Sequence, residues 1–346
     1  MKIGIIGSSL AGLVAGKKLG QAGHEVTVIE KTRTLGGRMA TLDDGEGNIF
    51  DYGISHFHAN NPDFVSFVNY LKEENLVDEW SSRFEYFDGS QLHDLNPNRS
   101  PELHYASTRG FSRVAQKLSR WVDIKSSVQA GGLTYIGADR TKKRAWMINL
   151  TDVSVFECDA VIIATPATVA YGILMTAQDE TPARRIIRHV DEFNYDPSFT
   201  VMASYRNQEV PDWDAVECAG EHLKWVINES SKRDNADTSL VIHSSAAFAR
   251  NNKEEDPQKA ASGLLQQVAR ITGQDWIAQP TAEHYHYWQY ASCRNPIDER
   301  FMELEMEEAP LALIGDYLGG NSAESSYLSG LRLAEYWNEK YELARV

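Results

Sequence analysis

The stretch KIGIIGSSLAGLVAGKKLGQAGHEVTVIE, residues 2–30, decides the fold of this chain. It begins with a short apolar run, passes through a glycine- and serine-rich turn into a helical pattern, and ends in a second apolar run closed by Glu30. Short apolar runs of this kind are typical of buried parallel strands, whereas the intervening pattern has the period of a helix. The stretch therefore predicts a strand, a helix and a second strand at the start of a parallel sheet.

The turn after the first strand is suited to binding a dinucleotide. Gly7 permits the tight turn, the small Ser9 lets the backbone approach a pyrophosphate, and Gly12 lets the helix pack closely on the strand. The helix N-terminus offers free N–H groups to the phosphates, and Glu30 is placed to accept hydrogen bonds from an adenosine ribose. The expected cofactor contacts in this region are Gly7, Ser9, Leu10, Ala11, Gly12, Glu30 and Lys31.

A second glycine motif, Leu35-Gly36-Gly37-Arg38-Met39, distinguishes a flavin from a nicotinamide cofactor. It resembles the second signature of flavoproteins of the amine oxidase superfamily. Two glycines bring the backbone close to the cofactor, and an arginine neutralises pyrophosphate charge with a fixed fork of donors. Because it follows the opening motif at a short distance, the segment favours FAD and adds Gly37, Arg38 and Met39 to the expected contacts.

The far end of the chain supplies a third match. Residues 309–316 form a predicted buried strand ending in Gly315-Asp316, and a serine-rich segment then leads into the final helix. The resemblance implies that the aspartate holds the ribityl chain and that the helix N-terminus faces the flavin pyrimidine, where its dipole stabilises negative charge. A simple strand-to-loop turn is the alternative. The contacts expected here are Gly315, Asp316, Ser325 and Ser326.

Over nearly its full length the chain resembles the bacterial renalase-like FAD-dependent oxidoreductases, a group within the flavin amine oxidase superfamily. Beyond the cofactor motifs, the likeness is carried by residues 51–53, 109–112, 159–166, 225–232, 241–245 and 286–291. It implies that Ser55 and His56 lie beside the flavin and that Val128 lies near the adenine. Two departures bear on the substrate: Gly53-Ile54-Ser55-His56 occupies the place of a usual Gly-Ala-Gln-Tyr, and Tyr287 replaces an arginine.

The resemblance implies an α/β fold, in which a Rossmann-type FAD-binding domain of the GR2, amine oxidase-like type carries an inserted α+β substrate domain with an antiparallel sheet. The FAD-binding domain is expected at residues 1–58, 106–170 and 309–346, and the substrate domain at residues 59–105 and 171–308. Strands of the inserted sheet are predicted where apolar residues alternate, at 198–205, 222–227, 239–244 and 281–290.

The candidates for catalysis are His56, Lys232, His286, Trp288 and Tyr290. Alternation places the last three on one face of a strand, where they either roof the flavin or form aromatic packing with satisfied polar tips. The imidazole of His56 is suited to hydrogen bonding the flavin ring or sensing substrate charge. Lys232 resembles the amine oxidase lysine that holds a water beside flavin N5, although its polar loop is also typical of a solvent-facing lysine.

We expect an oxidase that moves a hydride from a small-molecule substrate to noncovalent FAD, with no covalent link at Cys158, and then passes the electrons to O₂ to give H₂O₂. The resemblance implies isomeric dihydronicotinamide dinucleotides as donors, and Arg109, Lys232 and Arg233 are the basic candidates for binding such an anion. Two alternatives remain open. One is oxidation of an amine or another electron-rich molecule in a neutral pocket of Tyr and Trp, and the other is a flavin-binding sensor or carrier without turnover.

Composition limits the other roles of the chain. The 346 residues carry a net charge of −15, so the field of the protein repels polyanions and argues against nucleic acid as a partner. The three cysteines are far apart and have no CxxC spacing, so neither disulfides nor a zinc site is indicated and we expect no metal. Because no apolar run has the length of a signal sequence or a membrane span, we expect a cytoplasmic protein. The sequence makes no prediction of oligomeric state.

Overall fold

The computed structural model describes residues 1–137, 144–177, 187, 189–304 and 309–341. Helices with defined bounds are α1 (Leu10–Gln21), α2 (Pro62–Glu73), α3 (Ser112–Leu118), α4 (Ala167–Leu174), α5 (Ala246–Asn251), α6 (Pro257–Thr272) and α7 (Ala323–Lys340). The strands are β1 (Lys2–Ile6), β2 (Glu25–Ile29), β3 (Thr41–Asp43), β4 (Ile49–Asp51), β5 (Val77–Ser81), β6 (Glu85–Phe87), β7 (Leu92–His93), β8 (His104–Ser107), β9 (Asp123–Lys125), β10 (Ala130–Tyr135), β11 (Trp146–Leu150), β12 (Val155–Cys158), β13 (Ala160–Ile163), β14 (Tyr195–Tyr205), β15 (Ala215–Cys218), β16 (Leu223–Asn228), β17 (Thr238–Ser244), β18 (Ala282–Cys293), β19 (Met302–Leu304) and β20 (Leu311–Leu313).

A six-stranded sheet with the order β19-β20-β13-β1-β2-β9 forms the first layer. Its strands are parallel except for β19, which pairs antiparallel with β20. The side chains of β1 alternate between two cores: Ile3 and Ile5 pack with α1 and α7, whereas Ile6 packs with β11 and α4. Because the central strands are buried on both faces, β1 and β13 are nearly continuous apolar runs, and the predicted opening strands are confirmed.

Helices α1 and α7 pack closely because glycine lies at their contact. A Cβ added at Gly330 would lie 2.2 Å from the Ala11 carbonyl oxygen. We predict that Gly330→Ala lowers the free energy of unfolding by about 1–3 kcal/mol, the usual cost of overpacking, in urea denaturation. Gly263→Ala in α6 is the matched control, since its Cβ would meet no atom within 4 Å. This control should be neutral or stabilising by up to about 1 kcal/mol, and equal losses in both variants would contradict the close-contact explanation.

The second large sheet has seven strands in the order β18-β14-β17-β16-β15-β6-β7. These strands come from residues 85–93 and 195–293, inside the two predicted insertions. The pairs are antiparallel, as predicted, except that β6 pairs parallel with β15, since the two are far apart in the chain rather than joined by a hairpin. Helix α6 covers the outer face of this sheet, and Phe50 of β4 packs on the inner face.

Of the four predicted domain boundaries, the one between residues 105 and 106 lies within β8. The boundary between residues 170 and 171 lies within α4. The boundary between residues 308 and 309 adjoins residues 305–308, which are outside the described residues, as are residues 342–346. Among the helices that the structure describes, none has both the length and the apolar character needed to cross a bilayer.

Candidate active site

The turn between β1 and α1 has the geometry of an anion-binding helix start. Gly7 has φ +100, a left-handed conformation, and a Cβ there would lie 2.8 Å from the Ala164 carbonyl oxygen. Ser9 caps α1, and its Oγ donates to the same carbonyl at 2.8 Å. The N–H groups of Leu10 and Ala11 lie in the first helical turn and have no intrahelical acceptor. The turn therefore presents backbone donors and the positive end of the helix dipole to an anion.

The second glycine motif lies over this turn. The Gly36 N–H donates to the carbonyl and to the Oγ of Ser8, both at 3.1 Å. Gly37 is exposed with φ +56, and the nearest atom to an added Cβ would be Ser9 Cα at 3.9 Å. At Gly12, by contrast, a Cβ would lie 2.5 Å from a carbonyl oxygen of the turn. We call the space over the first turn of α1 the phosphate cradle. Gly37 faces open space there, whereas Gly12 is in close contact with the turn.

Glu30 holds the cradle together from the end of β2. One carboxylate oxygen accepts from the Ser8 N–H at 3.0 Å and from its Oγ at 2.7 Å. The other accepts from the Thr32 N–H at 2.9 Å and its Oγ1 at 2.8 Å. A carboxylate has about four acceptor positions, so a ribose contact, the predicted role, would require exchange of one of these bonds. Val128 donates its N–H to the Glu30 carbonyl at 3.1 Å, and Lys31 is exposed beside it.

Arg38 and Asp316 contact each other between the two large sheets, in the region that we call the cleft. The Arg38 guanidinium donates to the two Asp316 oxygens at 2.8 and 2.6 Å and to the Ala291 carbonyl at 3.1 Å. Burial alone would lower the pKa of Arg38, but the Asp316 carboxylate raises it. The sequence predicted separate contacts for the two residues, with the pyrophosphate and the ribityl chain. In this structure they neutralise each other.

The remaining predicted cofactor residues have structural partners of their own. Ser325 completes the capping box of α7, since its Oγ accepts from the Ser322 N–H at 2.7 Å, and Ser326 follows it in the first turn. The Gly315 N–H donates to a serine hydroxyl of α7 at 3.0 Å. Met39 is buried in the core beside α1 and α3. These residues position α7 and the second glycine motif around the cleft.

Trp288 and His286 pack on Tyr52 at one end of the cleft. The Trp288 indole N–H donates to the Tyr52 carbonyl at 3.1 Å, and the two rings stack at 5.5 Å with an interplanar angle of 25°. The His286 ring lies 4.2 Å from that of Trp288. Tyr285 stacks on Phe199 on the outer side of the sheet, so the two faces of β18 alternate as predicted.

Tyr290 lies further along the same strand and packs edge-on against Tyr195 at 5.6 Å. The Tyr195 hydroxyl accepts from the Ala167 N–H at 3.0 Å. A register shift between Asp196 and Ser198 separates this pair from the rest of the β14–β18 ladder. For Tyr290 the packing interpretation therefore describes the contacts best.

A row of side chains crosses the inner face of the second sheet. His286, Thr200, His243 and Trp225 are successive register partners on β18, β14, β17 and β16, and we call them the inner row. The Thr200 Oγ1 and the His243 Nδ1 are 3.1 Å apart, while the His243 Nε2 is buried without a hydrogen-bond partner. Burial, followed by the charges of Lys224 and Lys232, lowers the pKa of His243 to about 3. The imidazole is therefore uncharged at neutral pH.

His56 lies at the other end of the row within a ring cluster formed by His56, Trp80, Phe84, His104 and Trp225. The four rings around His56 have centroids 4.9–5.5 Å from its own. Burial, and then the charges of His104 and Lys232, lowers the pKa of His56 well below its usual value. Of these five residues, His56 was predicted as a candidate for catalysis and flavin contact, whereas Trp80, Phe84 and His104 were not predicted to have a role.

Lys232 belongs to a buried charge cluster with Asp51, Glu229 and Arg233. The Lys232 Nζ donates to the Ser55 carbonyl at 2.8 Å and to Glu229 Oε1 at 2.5 Å. The Arg233 Nη2 contacts Asp51 Oδ2 at 2.6 Å and Glu229 Oε2 at 3.1 Å. All four side chains are at most 5% exposed, so opposite charges are paired out of contact with water.

This cluster bears on two predictions: the solvent-facing alternative for Lys232, and the anion-binding role of Lys232 and Arg233. Lys232 is not solvent-facing, because its ammonium group is enclosed by Glu229, the Ser55 carbonyl and the Trp80 ring, whose centroid is 5.0 Å away. Lys232 and Arg233, two of the basic candidates for binding an anionic substrate, both pair with carboxylates in this structure. Arg109, the third basic candidate, is exposed. Of the three predicted cations, the two that lie beside the inner row are therefore paired with carboxylates.

Comparison with protein families identifies this arrangement. A model of NAD(P)-binding Rossmann-like domains matches residues 5–71, and a model of flavin containing amine oxidoreductases matches residues 82–336. The chain belongs to the flavin-containing amine oxidoreductase family. It is an FAD-dependent oxidoreductase. The Rossmann-like match contains β2 and the end of β1, and the amine oxidoreductase match contains the other strands of both large sheets. The predicted α/β class and the FAD cofactor are confirmed.

Curated relatives of this amine oxidoreductase match it over short stretches. A 15-cis-phytoene desaturase of Synechococcus elongatus is 33% identical over 88 residues, which are 25% of this chain and 18% of the relative. A 4,4'-diapophytoene desaturase of Staphylococcus aureus is 45% identical over 53 residues, 15% of this chain and 10% of the relative. The chain thus aligns with less than a fifth of the length of these relatives.

Solved structures resemble this amine oxidoreductase over nearly its whole length. A triple mutant of putrescine oxidase has a TM-score of 0.74 at 14% identity, covering 98% of this chain and 99% of that chain. Cyclohexylamine oxidase from Brevibacterium oxydans has a TM-score of 0.74 at 12% identity, covering 99% of both chains. At these identities the similarity establishes the fold.

Proposed function

We propose that this FAD-dependent oxidoreductase is an oxidase of a small molecule that carries a C–H bond next to nitrogen, with an amine as the best candidate and O₂ as the electron acceptor. The observation that carries the proposal is the uncharged, ring-lined inner face of the second sheet, which faces the cofactor half. His56 and His243 have lowered pKa values, and both predicted cations near them are paired with carboxylates. Such a surface favours a neutral donor over an anionic one.

FAD fits the phosphate cradle in this proposal. The N–H groups of Leu10 and Ala11 would hold the pyrophosphate, and the space over Gly37 would admit it. Arg38 and Asp316 would exchange their mutual bonds for the pyrophosphate and the ribityl chain. When bound, FAD supplies the two-electron acceptor that amino-acid side chains lack. We propose noncovalent binding, because burial raises the pKa of the Cys158 thiol to about 12 and keeps it unreactive.

The chain's contribution to the reaction would be to bind, orient and dehydrate the donor. Burial of an ammonium group lowers its pKa, so a ring-lined cleft releases the proton and leaves the nitrogen lone pair free. The His243 Nε2 offers a hydrogen-bonding atom to the donor, and the Tyr52–Trp288 pair offers a flat apolar wall. The donor then loses a hydride from carbon and a proton from nitrogen and forms a C=N bond. O₂ takes the two electrons with two protons and leaves as H₂O₂.

A renalase-like donor is the second candidate. An isomeric dihydronicotinamide also carries a reactive C–H bond next to nitrogen, and the sequence likeness over residues 225–232 and 286–291 supports this choice. Both segments contribute to the lining of the cleft, through Trp225 and through His286 and Trp288. The pairing of Lys232 and Arg233 with carboxylates argues against the dinucleotide, whose phosphates need cations, but not against its uncharged ring.

Anaerobic mixing with three donors tests the proposal through bleaching of the flavin absorbance. The donors are a small primary amine, an isomeric dihydronicotinamide dinucleotide and the matching uncharged nucleoside. We expect bleaching by the amine, and by the nucleoside at least as fast as by the dinucleotide. Bleaching by the dinucleotide alone would overturn the neutral-donor proposal, and no bleaching by any donor would favour the sensor or carrier alternative.

Two variants on the same strand connect bleaching to the cleft. Trp288→Leu removes an inner-face ring that packs on Tyr52, and we expect it to slow flavin reduction at least about 10-fold through lost donor orientation. Tyr285→Leu removes a ring of the outer face that is 43% exposed, and it should change the rate less than about 2-fold. Flavin content is measured for both variants. Equal rates in the two would contradict a role for the inner face.

A further inference from the structure

Three potential metal ligands meet at the mouth of the ring cluster. Phe57 and Tyr105 form an antiparallel bridge, in which each N–H donates to the carbonyl of the other, at 3.1 and 2.7 Å. The next residues on this ladder, His58 and His104, are therefore cross-strand partners on one face. Glu102 lies two residues before His104. One ligand atom from each of His58, Glu102 and His104 lies within 4.8 Å of the other two.

The burial of these three residues suits a bound ion. Glu102 is exposed and His58 is half-buried, so a hydrated ion can reach both. His104 is also half-buried, and its Nδ1 is buried without a hydrogen-bond partner. A buried polar atom without a partner is costly, and coordination of an ion is one of the few ways to satisfy an imidazole nitrogen. The orphaned nitrogen is a second observation beside the clustering, since it leaves an imidazole of this group with an unused donor or acceptor.

We propose that His58, Glu102 and His104 bind one divalent transition-metal ion of the Zn²⁺ type. Two imidazoles and one carboxylate are a common protein ligand set for Zn²⁺ and leave a fourth position for water. Cysteine spacing alone indicated no metal. His58 and the Glu102–His104 pair are over 40 residues apart in the sequence, and the Phe57–Tyr105 bridge brings them together.

The site would be distinct from the hydride-transfer chemistry of the proposed function. The His104 ring packs against His56 at 4.9 Å and against Phe84 at 4.9 Å, so the metal would fasten the mouth of the ring cluster to the Phe57–Tyr105 bridge. Metal binding therefore depends on neither FAD reduction nor the identity of the donor. Either proposal can fail while the other holds.

Zinc binding to the untagged, FAD-loaded protein tests the proposal. The protein is stripped with EDTA, dialysed, and titrated with Zn²⁺ in a calorimeter, and bound zinc is measured by elemental analysis. We expect one Zn²⁺ per chain. His58→Asn and Glu102→Gln should each weaken binding at least about 10-fold, since even outer contacts of metal sites have effects of this size. His222→Asn, at a histidine exposed near α5, is the matched control and should bind as the wild type does.

Thermal denaturation provides the second readout. Zn²⁺ should raise the midpoint of the wild type and of His222→Asn but not that of a His58→Asn/Glu102→Gln double variant. Equal midpoints of all variants in EDTA show that the substitutions leave the fold intact. The proposal is overturned if the wild type binds no stoichiometric Zn²⁺, or if it binds one ion that the substitutions at His58 and Glu102 do not weaken.

Discussion

The Arg233→Met variant is expected to lose about 3–5 kcal/mol of unfolding free energy at pH 7. Methionine fills a similar volume but leaves the Asp51 and Glu229 carboxylates, both fully buried, without their guanidinium partner. Removing one member of a buried ion pair is costly because the remaining charge stays out of water. Urea denaturation of the two proteins measures the difference. Arg206→Met is the matched control, because the Arg206–Glu46 pair is exposed and should contribute at most about 1 kcal/mol.

The pH dependence of this loss has a definite sign. Burial alone would raise the pKa of Asp51, but the charges of Arg233 and Lys232 and the Ser107 hydroxyl hold it below its ordinary 3.8. A depressed carboxyl pKa contributes stability that is present above the unfolded value and is lost as the pH falls through the folded value. In Arg233→Met, burial dominates and the pKa of Asp51 rises. The difference in free energy of unfolding between wild type and variant should therefore become smaller from pH 7 to pH 4. A difference that does not change with pH would contradict a depressed pKa of Asp51 in the wild type.

Gly37→Asn is expected to weaken FAD binding by at least about 100-fold, which corresponds to roughly 2.7 kcal/mol. The added side chain would occupy the phosphate cradle, where Gly37 now leaves open space above Ser9. Asparagine tolerates the left-handed conformation better than most residues, so the φ of +56 should cost little in folding. Titration of the apoprotein with FAD, followed by flavin fluorescence, measures the change in affinity.

Gly273→Asn controls for the backbone effect. Gly273 caps α6 with φ +69 and has no atom within 4 Å of an added Cβ, so it matches the conformation of Gly37 away from the cradle. We expect wild-type FAD affinity in this variant and unchanged midpoints of thermal denaturation for both apoproteins. Normal FAD affinity in Gly37→Asn would mean that the pyrophosphate does not bind over the first turn of α1.

The cofactor half of the site was predictable because its determinants are local in sequence. Gly7, Ser9 and Gly12 lie within six consecutive residues, and β1 and β2 have the predicted bounds to within one residue. The two faces of β18 were also predictable up to Trp288, since the pairing with β14 is regular from Ala282 to Trp288 and shifts only beyond it. In both cases one short segment of chain contains the whole signal.

The donor half of the site depends on contacts that the sequence does not display. Lys232 and Arg233 lie in a polar segment typical of solvent, and their burial follows from Asp51, about 180 residues earlier. The ring cluster draws Trp80 and His104 from strands of five and four residues, which are too short for periodicity to reveal a face. One signal in the sequence was the accumulation of His, Trp and Phe in residues 56–104.

The charge cluster also restricts how the protein can move. Asp51 ends a strand beside the cofactor half, whereas Glu229 and Arg233 follow a strand of the second sheet. Hinged separation of the two halves would pull unlike charges apart before water could reach them, a barrier of several kcal/mol. Access of a donor to the inner face would therefore depend on rotations of individual side chains rather than on opening of the two halves.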